Sequence, residues 1–193
     1  MNKLAPEEAK SQPIEINGYA IISDDDRIAG LDGLIPASLR NEKDWDCFQR
    51  ALAGPDLVVL GHRSHDLAPN VRGDQRLVVS RGAAGLEQRA NVWWWNPARM
   101  SWVEVAKELL PRGGEVAVPG GQAAFDLFLK IGFDAFHLTR AHGVRLRGAS
   151  ALFGLRRWPL SRGSARQCRI EPQRTHRARC KAWRRHERMA RGS

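Results

Sequence analysis

The sequence predicts an α/β protein in which a mostly parallel sheet is covered by helices on both faces. Three observations predict it: short apolar runs of strand type recur between residues 14 and 139, helix-periodic segments stand between them, and the links are a few residues long. One of those links is a pair of glycines lying between a strand and a helix.

Ile14 to Ser23 carries the β-branched and aromatic residues of a strand, which Asp24-Asp25-Asp26 breaks with turn formers. Residues Ile28 to Pro36 form a glycine-punctuated loop. Asn41 to Leu52 follows as a helix, with Trp45, Phe48 and Leu52 at three- and four-residue spacing. Leu57 to Leu60 is a buried-type strand ending at Gly61, and a helix is expected to start near Ser64. Arg76 to Ser80 and Val92 to Trp95 are two further strands. Ser101 and Glu104 have capping-box spacing, in which a serine and a glutamate three residues on satisfy each other's backbone donors, so Ser101 to Leu110 is a helix. Glu115 to Val118 is a strand, Gln122 to Ile131 a helix and Ala135 to Thr139 a strand.

The run from Val116 to Phe125 holds the paired glycines, Gly120 and Gly121. Without Cβ atoms the backbone there can lie against a flat or phosphorylated ligand, while the helix N-terminus offers unpaired N–H groups to negative charge. A nucleotide cofactor fits that chemistry; a plain tight turn is the alternative.

The chain of 193 residues is long enough for one domain with a sizeable core plus a tail. No run approaches the roughly 18 apolar residues of a membrane span, and the N-terminus has no apolar leader, so a cytoplasmic protein without a membrane partner is expected. Cys47, Cys168 and Cys180 lack metal or disulfide spacing, which predicts free thiols and no metal site. The formal charge of +10 is unevenly spread: residues 155–193 hold twelve Arg and one Lys against two Glu, leaving the rest of the chain near neutral.

Taken in order, the segments resemble the dihydrofolate reductase family. The family's Asp-x-x-Ile-Gly loop and Gly-x-Leu-Pro turn are matched by Asp26 to Gly30 and by Asp32 to Pro36. Its acidic residue four before a Phe is matched by Asp44 and Phe48, and its Met-Gly-Arg-Lys-Thr strand end by Leu60-Gly-His-Arg-Ser64. Val79-Ser-Arg81, the glycine pair, Leu138-Thr139 and Arg147 to Ser150 complete the series, which spans about Ile14 to Phe153. The resemblance implies a three-layer α/β/α fold in residues 1–154 and an NADPH-dependent reductase, expected as a monomer. Its implied reaction reduces 7,8-dihydrofolate, a small pterin substrate, to tetrahydrofolate.

The resemblance also implies the site. Asp44 would be the catalytic carboxylate, holding the 2-amino and N3 edge of the pterin so that N5 is protonated; Glu42 and Asp46 are its rivals. Ile21, Phe48 and Thr139 would line the pterin pocket. Ile22, Ala29, Gly120, Gly121 and Gln122 would hold the nicotinamide ribose and pyrophosphate, with His62, Arg63, Ser64, Ser80 and Arg81 near phosphates. Arg81 fits the adenosine 2′-phosphate, since a guanidinium pairs bidentately with phosphate, which favours NADPH over NADH.

The chain departs from the family at Ala37 in place of Trp, at Asp74 where an Arg grips the folate glutamate, with Arg72 and Arg76 as its candidate substitutes, and at Pro119 where an aliphatic residue is usual. A related pterin reductase, or a pyrimidine reductase of the riboflavin-pathway type, is therefore the alternative. After Phe153 no strand pattern continues, so the family's final hairpin is expected to be missing or altered. The Arg-rich segment 155–193 looks like an out-of-frame C-terminus; its other reading is a basic arm binding nucleic acid non-specifically, which belongs to a different functional class.

Overall fold

A computed structural model describes residues 12–40, 42–68, 70, 73, 75–147, 150–152 and 167–169. The chain runs β1 (Ile14–Ser23), β2 (Arg27–Ala29), a 3-10 turn (Ala37–Leu39), α1 (Glu42–Ala51), β3 (Leu57–Gly61) and α2 (His62–Leu67). It continues through β4 (Arg76–Val79), β5 (Leu86–Arg89), β6 (Val92–Trp95), α3 (Trp102–Leu109), β7 (Gly114–Gly120) and α4 (Gln122–Ile131). The last elements are β8 (Ala135–Ala141), β9 (Ser150–Ala151) and β10 (Gln167–Arg169).

Eight strands form one sheet in the order β10-β8-β1-β7-β3-β4-β6-β5, while β2 and β9 pair separately. All contacts in the large sheet are parallel except β5 with β6. The register sets Ile21 opposite Thr139, Val58 opposite Arg76 and Leu60 opposite Gly120. β1 lies between β7 and β8, and β7 between β1 and β3, so the carboxyl ends of β1, β7, β3 and β4 sit side by side at one edge.

Strand alternation divides the core. Ile16, Ala20 and Ile22 of β1 join Leu57, Val59, Val116 and Val118 under α3 and α4, which contribute Val105, Leu109, Phe125 and Phe128. Val59, Val116, Val118 and Phe128 have no solvent exposure, and each such side chain is worth roughly 1.5–3 kcal/mol of burial. Trp95 closes this layer, its Nε1–H donating to the Met100 carbonyl at 2.8 Å and its ring lying 5.8 Å from Trp102. The capping box at the start of α3 forms as expected: Ser101 Oγ accepts from the Glu104 N–H, and the Glu104 carboxylate accepts from the Ser101 N–H at 2.8 Å.

Four details differ from the sequence reading. β5 forms in a segment that had no strand assignment, because its backbone pairs antiparallel with β6. α2 begins at His62, two residues before Ser64. Residues 27–29, read as loop, form a strand through pairing with β9. In the Arg-rich segment, where no strand was expected, β10 pairs with Phe136–Leu138 of β8 in parallel; the exposed edge of β8 supplies backbone partners without any apolar alternation in the added strand.

Candidate functional site

One cavity of about 1090 Å³ opens at the carboxyl ends of β1, β3, β4 and β7, with α1 over it. In open α/β sheets this edge is where ligands bind, because loops diverge there and helix N-termini point inward. Ile21, Ile28, Phe48, Leu52, Val58 and Leu60 give the cavity an apolar wall, and Trp45 adds an aromatic one. His62, Arg63, Ser64, Ser80, Arg81 and Gln122 give it a polar rim.

The rim is organised by the glycine turn. β7 ends at Gly120, whose φ of +136° excludes ordinary L-residues without strain, and Gly121 then starts α4. The Gly121 N–H donates to Ser64 Oγ at 3.1 Å, tying the start of α4 to α2. The Ser64 oxygen therefore already serves one of the orphan donors of the helix start. A Cβ on Gly121 would stand 2.7 Å from that oxygen, so the two residues fit only because one has no side chain.

Arg81 is positioned by a residue that the sequence reading passed over. Asn96 is 5% exposed; its Nδ2 donates to the carbonyls of Arg81 at 2.9 Å and Ala83 at 3.0 Å, and its Oδ1 accepts from the Ala98 N–H at 3.1 Å. Ser80 is fixed beside it, its N–H donating to Trp95 and its Oγ accepting from Gly82. Asn96→Ala is expected to destabilise the protein by about 1–3 kcal/mol, the cost of leaving buried carbonyls unpaired, and to weaken any ligand held by Arg81. Thermal melting checks the first effect and ligand titration the second.

The turns that follow β1 and β8 are held to each other at several points. Ser23 Oγ–H donates to Asp25 at 2.6 Å and the Leu146 N–H donates to the same carboxylate at 2.9 Å; these bonds hold Asp25 below the usual carboxylate range. Arg140 pairs with Asp26 at 2.7 Å, and the Gly143 N–H donates to Asp24 at 2.8 Å. Farther along, Arg63 donates to the Asp32 carbonyl, and its guanidinium occupies the space a Cβ on Gly33 would need, with Gly33 at φ +80°. Arg63 thus anchors the 30–36 loop as well as lining the cavity.

Of the residues singled out by sequence, Ile21, Ala29, Phe48, His62, Arg63, Ser64, Ser80, Arg81, Gly120, Gly121 and Gln122 border this one cavity. Ile22 does not: strand alternation turns it to the opposite face, where it is 1% exposed in the core. Thr139 sits opposite Ile21 in β8 but is not part of the cavity wall. Asp44 and Glu42 lie in α1 with their side chains outside the described residues, and Asp46 is exposed on the same helix. Arg72 and Asp74 also lie outside the described residues. Arg76, offered by the sequence as a substitute for the folate-gripping arginine, lines the cavity. Asn96, Trp45 and Arg40 line it without having been assigned to it; Arg40 stacks over the Trp45 ring at 5.0 Å. An asparagine after a strand-ending tryptophan and before a proline was the available signal for Asn96.

Among the described residues no group of three or more His, Cys, Asp or Glu could hold a metal, and no helix is long and apolar enough to cross a membrane. No family model matches the sequence, and no curated protein matches it either. Solved structures do match. One is a dihydrofolate reductase from Enterococcus faecalis complexed with NADP(H) and RAB-propyl, with a TM-score of 0.54 at 15% identity, over 72% of this chain and 76% of that one. Another is a putative riboflavin biosynthesis protein from Shewanella sp. PV-4, with a TM-score of 0.55 at 19% identity, over 74% of this chain and 84% of that one. With the parallel sheet and the helices on both faces, these likenesses show that the chain has the dihydrofolate reductase-like fold.

Proposed function

We propose that this chain is an NADPH-dependent reductase of a pterin or a related pyrimidine, with 7,8-dihydrofolate as the first substrate to test. One observation carries the reading: the glycine turn of β7 and α4 and the apolar pocket of Ile21, Phe48 and Leu52 open on the same cavity, whose volume suits a dinucleotide and a flat heterocycle together. The solved dihydrofolate reductase is a complex with NADP(H), which supports the cofactor. The riboflavin biosynthesis protein supports the pyrimidine alternative, and so does Asp74 standing where folate binders carry an arginine.

The residues present fit such a cofactor. Gly120 and Gly121 leave a Cβ-free surface on which a pyrophosphate can rest against the start of α4, and Arg81, on the rim, would hold the 2′-phosphate. When bound, NADPH supplies a hydride. Ile21, Phe48 and Leu52 would hold the heterocycle flat and keep water from it, and the Asp44 carboxylate would hold the 2-amino and N3 edge, favouring the proton that N5 gains.

Mixing the full chain with NADPH and dihydrofolate, and following the nicotinamide absorbance band, tests the proposal. Loss of the band that depends on dihydrofolate or on an aminopyrimidine substrate supports it; a band that persists with both overturns it. Arg81→Ala is expected to weaken NADPH by roughly 1.5–3 kcal/mol while leaving NADH almost untouched, since only NADPH carries the phosphate. Equal losses for the two cofactors, measured by titration, would remove Arg81 from that role.

A further inference from the structure

The six-residue helix α2 brings His62, Arg63 and Ser64 to the cavity, yet little of it is buried. His62, Arg63, Asp66 and Leu67 are exposed, and only Ser64 and His65 are half-buried against the rest of the fold. No side chain caps its first turn, and a helix this short does not hold its shape alone. Two half-buried side chains therefore seat it. Ser64 Oγ accepts from the Gly121 N–H at 3.1 Å, and the His65 ring meets the Trp94 ring of β6 edge-on, with centroids 5.5 Å apart and planes at 84°. The exposed His62 ring meets the same indole at 4.9 Å, and past the helix end Arg76 donates to the Ala68 carbonyl.

Of the two, His65 is sensitive to protons. Its Nδ1 is buried and has no hydrogen-bond partner among the described residues. A neutral imidazole tolerates this, because it carries one N–H and can place it on Nε2, leaving a bare lone pair at Nδ1. An imidazolium carries N–H on both nitrogens, so protonation puts a charged donor where nothing accepts it. The surroundings add to the cost. Burial first, then the Arg76 guanidinium at the start of β4, and finally His62 hold His65 below the ordinary histidine range, against Asp66, which favours the charged form. Asp66 is itself directed at His62, its Oδ2 lying 3.6 Å from His62 Nε2. On the Trp94 side, Arg89 lies over the indole at 4.8 Å and pairs with Glu87.

We propose that His65 is a proton-sensitive seat for α2: charging its ring in mild acid lifts the helix from Trp94 and withdraws His62, Arg63 and Ser64 from the cavity. Seated, α2 disfavours the proton on His65; lifted, it accepts it. The seat is therefore whole above the ordinary histidine value of about 6.5 and is lost as pH falls below it. The neighbours of α2 give the switch its reach. Arg63 donates to the Asp32 carbonyl of the 30–36 loop, and Ser64 holds the Gly121 N–H, so lifting α2 loosens the loop and the glycine turn together. The device belongs to the fold and does not depend on which ligand the cavity takes.

Backbone hydrogen exchange on the full chain without ligand tests this, with each rate divided by that of an unfolded chain at the same pH. The parent, His65→Phe and His62→Gln are compared at pH 7.5 and 5.5. In the parent, protection of α2 and of the Gly121 amide is expected to fall about tenfold or more in acid relative to α3. His65→Phe keeps a ring against Trp94 but has nothing to protonate, so its α2 protection should stay level, while His62→Gln should lose protection as the parent does. A parent with no acid loss in α2, a Phe variant that loses as much as the parent, or a Gln variant that stays level would overturn the proposal. Should the Phe variant fail to fold, the His65 ring of the parent decides, followed by NMR. A titration midpoint below that of free histidine and in step with the loss of α2 protection supports the proposal; a midpoint at or above the free value, or one out of step with α2, overturns it. No cofactor or substrate enters the measurement, so a failure of the reductase reading would leave its outcome untouched.

Discussion

Replacing Asp44 by Asn is expected to lower turnover about 100-fold or more, the scale of lost proton management, while the thermal midpoint and NADPH affinity stay close to the parent's. The expectation comes from the place of Asp44 in the chain. It stands in α1 one helical turn before Phe48, and Phe48 borders the cavity, as does Trp45 one residue after Asp44. The substitution keeps size and hydrogen-bonding shape but removes the charge that would hold the amidine-like edge of the heterocycle. Glu42→Gln is the companion measurement, because the segment between Pro36 and Phe48 is two residues longer than the family spacing. A crippled Glu42→Gln beside a mild Asp44→Asn would move the carboxylate one half-turn back along α1. Asp46 is exposed, and Asp46→Asn should leave turnover unchanged.

The elements most legible in the sequence were those whose own side chains specify them. β1 and α4 have the same bounds in sequence and structure because each carries an unbroken apolar pattern and a clear stop: three aspartates after Ser23, glycines on either side of α4. β5 was not legible. Leu86-Glu-Gln-Arg89 has one apolar residue, and what makes it a strand is the backbone of β6, a partner that local pattern cannot show. β2 is similar, formed by pairing with β9 from 121 residues later in the chain at Ser150 and Ala29.

The site divides the same way. Gly120, Gly121, Ser64 and Arg81 stand at the ends of strands, where sequence order alone brings them to one edge of a parallel sheet. Ile22 was placed with them by likeness to a family, and strand parity sent it to the other face. Asn96 escaped for a different reason: it acts through tertiary neighbours, the carbonyls of Arg81 and Ala83, and belongs to no motif.

Gly120→Ala and Gly121→Ala are expected to damage the glycine turn by different physics, and Ser64→Ala separates them. At Gly120 the added methyl would meet Phe125 only at 3.6 Å, an ordinary contact, so space is not the obstacle. The obstacle is φ of +136°, a conformation that costs an L-residue about 1–3 kcal/mol and that removing a neighbour cannot relieve. At Gly121 φ is near zero and lies outside that region, but the methyl would stand 2.7 Å from Ser64 Oγ and displace the bond from the Gly121 N–H. Both single variants should lose stability and bind NADPH at least tenfold more weakly, since each moves the backbone on which the pyrophosphate is proposed to rest. In the double variants, Ser64→Ala should return part of the loss to Gly121→Ala and none to Gly120→Ala. The coupling is read as the non-additive part of a double-mutant cycle in melting temperature and in NADPH affinity. Additive behaviour at Gly121, or rescue at Gly120, would mean that the turn is shaped by something other than the contact with Ser64 and the backbone angle, and the cradle proposed for the cofactor would lose its basis.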